Sequence, residues 1–437
     1  MNARRVVVTG LGCVSPLGAS AAELWENMQL GRSGIRRCPE YGDFPASVFA
    51  PVTTPSSVLL GPEVDARVGH ALTRPMQMLF SAVREALGHA DLHRFTDQIR
   101  VGLIAGTTAN HPVEMESEEV VRYFQCSEDG EIDWTRYLKK HEYPKSNMFR
   151  HMTHLLTCFP ASHFELRGVN DSLHNACASG TQAVGSAFRM IKHGYADVIL
   201  AGGADAMVSW AGVTALGKLG VLSPHQDPEE ACRPFDERRN GLVLGEGAAV
   251  LAVESLESAE RRGAPILAEI LGFGSTGNAY RITDSPVEGI SASIAIRQSL
   301  EEARLDPGQI DAISAHGTST SQNDLAEANA MKLALGAAAT RIPTMAPKAL
   351  LGHSLSAAGA VELVAAVRVL QTGVLPGAPS YRRPDPECDL SIVARSTRAP
   401  ATTHLLKNSF GFGGQNAALI LKKWPASAPS SAGGISQ

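Results

Sequence analysis

Cys177 lies in the run Asn175-Ala176-Cys177-Ala178-Ser179-Gly180, ahead of an apolar-periodic stretch over residues 181–191. This places a thiol at the first turn of a helix, ringed by small residues. A helix N-terminus carries about half a positive charge, which favours thiolate over thiol. The small neighbours leave room for a carbonyl to approach the sulfur. On this run alone a buried core cysteine fits as well as a nucleophile, because Cys packs as a small hydrophobe. Two distant histidines shift the balance toward the nucleophile. His316 sits in Ala315-His316-Gly317-Thr318-Ser319-Thr320, after the apolar run 310–314. His353 sits in Lys348-Ala349-Leu350-Leu351-Gly352-His353-Ser354 and opens a small-residue helix over 357–370. A glycine loop, Asn408-Ser409-Phe410-Gly411-Phe412-Gly413-Gly414-Gln415-Asn416, precedes a strand-like run over 418–422.

The elements that must hold these residues alternate in type. Residues 101–105, 197–201 and 310–314 read as buried parallel strands. Residues 72–87, 182–191, 290–303, 325–335 and 357–370 read as helices. Such alternation predicts α/β layering. Residues 101–108, a strand followed by Gly106-Thr107-Thr108, parallel 313–320, a strand followed by His316-Gly317-Thr318-Ser319-Thr320. This is a faint internal duplication, and each half later enters a helix through Cys177 or His353. Residues 110–150 are charged, aromatic and irregular and read as an insertion. Residues 425–437 are Pro, Ala, Ser and Gly and read as a disordered tail.

Composition narrows the classes. The chain has 437 residues, enough for two or three domains with ample core. Net charge is −5 with no basic block, which argues against nucleic acid. No apolar run reads as membrane-spanning, and the N-terminal apolar run is too short for a signal peptide. The 7 cysteines are odd in number and lack CxxC spacing, so neither a disulfide framework nor a metal site is expected. The expected compartment is the reducing cytoplasm.

Taken together, Cys177, His316, His353 and the glycine loop resemble the β-ketoacyl-acyl-carrier-protein synthases of the type II elongating kind. The resemblance runs from Arg5-Val6-Val7-Val8-Thr9-Gly10 to Lys423. It includes Ala201-Gly202-Gly203-Ala204-Asp205, Arg233-Pro234-Phe235-Asp236 and Gly241-Leu242-Val243-Leu244-Gly245-Glu246-Gly247, in the family's order and spacing. It implies a thiolase fold, with two duplicated βαβαβ-type halves in five αβαβα layers. Residues 1–264 would form the half with the nucleophile and 265–424 the half with both histidines. It also implies a fatty-acid or polyketide/polyene enzyme with no tightly bound cofactor. Its substrates would ride on the phosphopantetheine arm of acyl-carrier protein. It would form a homodimer, or a heterodimer with a chain-length-factor-like subunit.

The resemblance also implies roles. An acyl group would pass to Cys177, and malonyl-carrier protein would lose CO2 to give the attacking enolate. The N–H groups of Cys177 and Phe412 would form the oxyanion hole, and His316 and His353 would donate to the enolate oxygen. Lys348 would hold His353 or Glu362 by charge, with Glu362 a buried structural carboxylate. Thr318, Thr320 and Thr283 would bind the phosphopantetheine arm; ordinary turn hydroxyls explain the first two equally well. Phe410, Gly411, Phe412 and Gly413 would gate the acyl pocket, although core packing also explains the aromatics. Asp324 and Glu327 suit the positive end of the next helix, and nothing more is needed to explain them. Asn278 stands where the family often has Asp, which puts the polar latch between the two mobile loops in doubt. The segment from Met148 to His154 is polar and bulky for a place near the dimer contact.

Two other readings fail on the same residues. A non-catalytic chain-length partner would lack the nucleophile. A degradative thiolase would keep a second reactive cysteine in the C-terminal glycine loop, where this chain has Phe412.

Overall fold

The computed structural model describes residues 4–42, 47–92, 94, 100–108 and 152–425. The 110–150 insertion, most of the Met148–His154 segment and nearly all of the 425–437 tail lie outside the described residues.

Among the described residues ten strands form the large sheet: β1 (Val6–Val14), β2 (Val101–Gly106), β3 (Asn170–Leu173), β4 (Val198–Ala206), β5 (Glu246–Ser255), β6 (Ala268–Gly277), β7 (Ala312–Ser314), β8 (Thr344–Met345), β9 (His404–Gly411) and β10 (Gln415–Lys423). Their spatial order is β8-β7-β9-β10-β6-β1-β5-β4-β2-β3. Read outward from the β6–β1 contact, each side has one pattern. In the first half, β3 and β2 pair in parallel, β2 and β4 in parallel, β4 and β5 antiparallel, and β5 and β1 antiparallel. In the second half β8, β7, β9, β10 and β6 repeat those relations in the same sequence. The two halves join where Val6, Val7 and Val8 pair antiparallel with Ile270, Glu269 and Ala268.

Among the described residues six helices make the layers: α1 (Arg74–His89), α2 (Leu155–His163), α3 (Ser179–Lys192), α4 (Ile290–Ala303), α5 (Ser321–Leu335) and α6 (Ala358–Thr372). Helices α1 and α2 cover the outer face of the first half, and α4 and α5 that of the second. Helices α3 and α6 pack between the halves, each touching strands of both. The result is five αβαβα layers. Strands such as β1 and β5 are buried along their whole length because helices cover both faces, which is why they read as continuous apolar runs.

Several expected boundaries move. The strand expected over 310–314 spans only Ala312–Ser314. The helix expected from 72 begins at Arg74 with Pro75 in its first turn, where a missing N–H costs nothing. One expectation is overturned: Leu355–Thr372 is long and apolar enough to cross a membrane. It is, however, 83% buried between the two halves, and the central layer of a five-layer fold demands that apolarity.

The two central helices start against each other. A Cβ on Gly180 would meet Ser356 O at 2.7 Å and Ala360 N at 2.9 Å, and a Cβ on Gly359 would meet Thr181 N at 2.9 Å. Only glycine at both places lets the helix starts approach so closely. This contact sets the nucleophile's turn beside the equivalent turn of the other half.

Candidate active site

Cys177 occupies a 3₁₀ turn, Ala176–Ala178, that leads directly into α3. Ala176 has φ 46°, a left-handed conformation that costs a non-glycine residue about 1–2 kcal/mol. Backbone strain of this kind gathers where the surroundings over-determine a functional turn. The glycine loop approaches from β9: a Cβ on Gly411 would lie 3.1 Å from Cys177 N. The N–H groups of Phe412 and of Cys177 itself are aimed at the sulfur. These are the two amides expected to form an oxyanion hole.

The preference for thiolate that a helix end confers is outweighed at this position. Burial pushes the Cys177 thiol up to about 12; Lys348 and the two amides oppose this, and Asp205 adds to it. Desolvation of the anion outweighs the field of the helix end, which acts only over the first turn. The sulfur at rest is a thiol.

His316 and His353 meet at right angles, with ring centroids 5.3 Å apart. Cys177, both histidines, Phe410, Gly411 and Phe412 line one cavity of about 320 Å³. That volume lies at the small end of ligand sites. Both imidazoles are held well below their ordinary pKa, chiefly by burial and next by the Lys348 cation, so both are neutral near pH 7. Lys348 Nζ lies 3.3 Å from His316 Nδ1 and donates to His316 O at 2.5 Å. An ammonium can only donate, so His316 Nδ1 accepts and the ring proton sits on Nε2. Lys348 also donates to Glu362 Oε1 at 2.7 Å. It therefore holds Glu362 and His316, and not His353 as the alternative expectation had it. Phe410 packs edge-to-face on His316 at 5.9 Å.

The loop after His316 is held from below. Glu327 accepts from His316 N at 2.8 Å and Gly317 N at 2.7 Å. Asp324 accepts from Thr318 N at 2.9 Å, Ser319 N at 3.2 Å and Phe235 N at 2.9 Å. Both carboxylates are buried, so helix-end complementarity does not account for them. They replace water for amides that would otherwise be unpaired, each worth about 1–3 kcal/mol.

Thr283, Thr318 and Thr320 line the cavity, and the hydroxyls of Thr318 and Thr320 lie 2.8 Å apart. The glycine loop is tied to the second loop: Gly413, at φ 79°, donates to Ile282 O at 2.6 Å, and Asn278 N donates to Gly414 O at 2.8 Å. The doubted latch exists in neutral form, with Asn416 Nδ2 donating to Asn278 Oδ1 at 2.7 Å. Behind Phe412 an apolar wall of Tyr41, Phe49, Val208, Val213 and Leu216 packs with Cys177.

Three residues to which the sequence assigned no role support the site. Lys407 is fully buried on β9 and pairs with Glu362 Oε2 at 2.7 Å. Its signal was a lysine inside the apolar strand Leu405-Leu406-Lys407. Asp205 is buried, its carboxyl pushed up to about 6 by that burial, and it accepts from Ser356 N at 2.8 Å and Thr108 N at 3.2 Å. Ser356 contacts Thr108 Oγ1 at 2.8 Å and Ala176 O at 3.0 Å. Among the described residues no group of three or more His, Cys, Asp or Glu side chains is arranged to hold a metal ion.

Comparison with known proteins agrees with this geometry. Residues 3–259 match the Beta-ketoacyl synthase, N-terminal domain, and residues 267–382 the Beta-ketoacyl synthase, C-terminal domain. A putative polyketide beta-ketoacyl synthase 1 of Streptomyces halstedii is 37% identical over 429 residues, covering 96% of this chain and 98% of its own. A 3-oxoacyl-[acyl-carrier-protein] synthase 2 of Staphylococcus aureus is 34% identical, covering 97% and 99%. The ishigamide ketosynthase/chain length factor superposes with TM-score 0.85 at 30% identity, covering 97% of this chain and 100% of its own. A beta-ketoacyl synthase from Burkholderia phymatum does so at 0.85 and 29%, with the same coverage. The layers are those of the thiolase fold, and with both domains matched in order this chain belongs to the beta-ketoacyl synthase family.

Proposed function

We propose that the chain is an acyltransferase that performs a decarboxylative Claisen condensation on carrier-bound substrates, with Cys177 as nucleophile. One observation supports this most: a thiol, two neutral imidazoles and two thiol-directed amides share one cavity. In the first step Cys177 Sγ attacks the acyl thioester of acyl-carrier protein. The oxyanion is received by the N–H groups of Cys177 and Phe412, each worth about 100- to 1000-fold in rate. The carrier sulfur departs, and the proton leaving Cys177 ends on it. In the second step malonyl-carrier protein loses CO2, and the electron pair of the broken C–C bond becomes an enolate. His316, with its proton on Nε2, and His353 donate to that oxygen. The enolate carbon attacks the acyl-Cys177 carbonyl, the C–S bond breaks with its electron pair on Cys177 Sγ, which takes a proton from water to return to the thiol, and β-ketoacyl-carrier protein leaves.

Lys348 and Glu362 orient His316. Thr283, Thr318 and Thr320 take the phosphopantetheine arm, while Phe410 and Phe412, with Gly411 and Gly413, gate the acyl pocket. The division at residue 265, a cytoplasmic setting, no tightly bound cofactor and a dimer complete the reading. A second form of it is a polyketide ketosynthase that works only with a non-catalytic chain-length subunit, which the likeness to the ishigamide ketosynthase/chain length factor favours.

The test uses His316→Ala and His353→Ala. Each is expected to form the acyl adduct on Cys177, seen by intact mass, yet to lose condensation by at least about 100-fold. Condensation near the wild-type rate in either variant would make that histidine structural.

A further inference from the structure

Glu362 serves two cations. Lys348, in the short helix Lys348–Leu351, takes Oε1 at 2.7 Å, and Lys407, from β9, takes Oε2 at 2.7 Å. All three side chains are buried. Lys407 also donates to the Asn408 carbonyl, and Asn408 Nδ2 reaches Glu327 Oε1 at 3.3 Å. Strand β9 pairs Lys407 with Ser314 of β7, two residues before His316.

Two buried carboxylates, Glu362 and Glu327, face the two buried ammonium groups, so the four charges balance beside the imidazoles. Were Lys407 absent, Lys348 would cancel Glu362 and the charge of Glu327 would stand unbalanced. A second cation is therefore more than a structural necessity here: a single lysine would satisfy Glu362 at lower desolvation cost.

We propose that Lys407 is a positioning residue that keeps His316 and His353 as neutral hydrogen-bond donors by supplying the second cation against Glu362 and Glu327, so that no net negative charge stands beside the imidazoles. This rests on the assignment of the two histidines to condensation. The groups facing them are Lys348, Glu362 from α6, Asp324 and Glu327 from α5, Lys407 from β9, and Cys177, a thiol at rest. Lys348 and Lys407 both act to lower the two imidazoles, and burial adds the largest share. Removing a cation raises an imidazole's pKa, so the acid limb of the condensation profile must move to higher pH.

The experiment follows condensation by acyl-Cys177 enzyme with malonyl-carrier protein against pH, beside ¹³C-histidine titration by NMR. Lys407→Met is expected to raise the acid limb and both imidazole midpoints by about half to one unit. The double variant Glu362→Gln/Lys407→Met removes one charge of each sign and is expected to bring both back down. A lower rate in Lys407→Met with unmoved midpoints overturns the proposal, as does a double variant that does not revert. If midpoints move while the acid limb stays, the charge role of Lys407 stands and the histidines' part in condensation fails. The wild-type protein gives an independent reading should the variant not fold: an imidazole midpoint at or above that of a free histidine, for either residue, overturns the proposal.

Discussion

Ala176-Cys177-Ala178 in the first half and Leu355-Ser356-Ala357 in the second are the same turn. Each is a 3₁₀ turn running into a central helix, and each begins with a non-glycine residue at φ 46°. They sit back to back, with Ser356 donating to the Ala176 carbonyl. The side chains that follow the strained residue meet different surroundings. Cys177 faces the cavity, toward the Phe412 N–H. Ser356 is bound to Asp205, Thr108 and Ala176 and does not line that cavity. The partner strands differ in the same way: β7 leads to His316 in the cavity, whereas β2 leads to Thr107 and Thr108 beside Asp205. Duplication supplied two equivalent frames. One became chemistry, and the other became the brace that holds it.

The comparison breaks most sharply if the second turn can be made reactive. Cys177→Ala is expected to abolish the acyl adduct seen by intact mass after incubation with acyl-carrier protein, while the fold is kept. Adding Ser356→Cys to it should restore nothing, because that position opens onto Thr108 and Asp205. An adduct on the thiol introduced by S356C would mean that both turns reach substrate.

A smaller effect separates burial from helix-end activation at Cys177. With the thiol held near 12, iodoacetamide alkylation of Cys177 should rise about tenfold per pH unit from pH 7 to 9, about 100-fold in all, with no plateau. The sign follows from a raised pKa: thiolate is scarce throughout this range and grows with each unit. A plateau below pH 8 would restore the resting thiolate that the helix end alone implies. The smallest effect concerns strain. Ala176→Gly relieves a left-handed alanine and is expected to stabilise the protein by about 0.5–1 kcal/mol in urea unfolding, net of the glycine's greater freedom when unfolded. A loss of stability would show that the turn is not strained.

The parts of the site legible in the chain were local. The expected helices at 290–303 and 357–370 match α4 and α6 within two residues. Each carries a long periodic pattern that needs no knowledge of its neighbours. The strand after residue 310 is shorter than its apolar run because Ile310 closes a 3₁₀ turn, Pro307–Gln309, rather than joining β7. Asp324 and Glu327 depart from their expected role for a related reason. At a helix start an acid suits the dipole, and only the fold reveals that both lie under the His316 loop and accept its amides.

The sequence by itself determined which residues are brought to the site. A thiol among small residues, two histidines after apolar runs and a glycine loop are each written in a few adjacent positions. The tertiary structure alone decided their protonation and their partners. The charge state of Cys177 depends on how much water is excluded from it, and that of His316 on the same exclusion and then on two lysines from separate elements. Desolvation and through-space charge act between groups distant in the chain, so no local pattern encodes them. The pairing of Lys407 with Glu362 is the clearest case, since it exists only because β9 and α6 pack together in the second half.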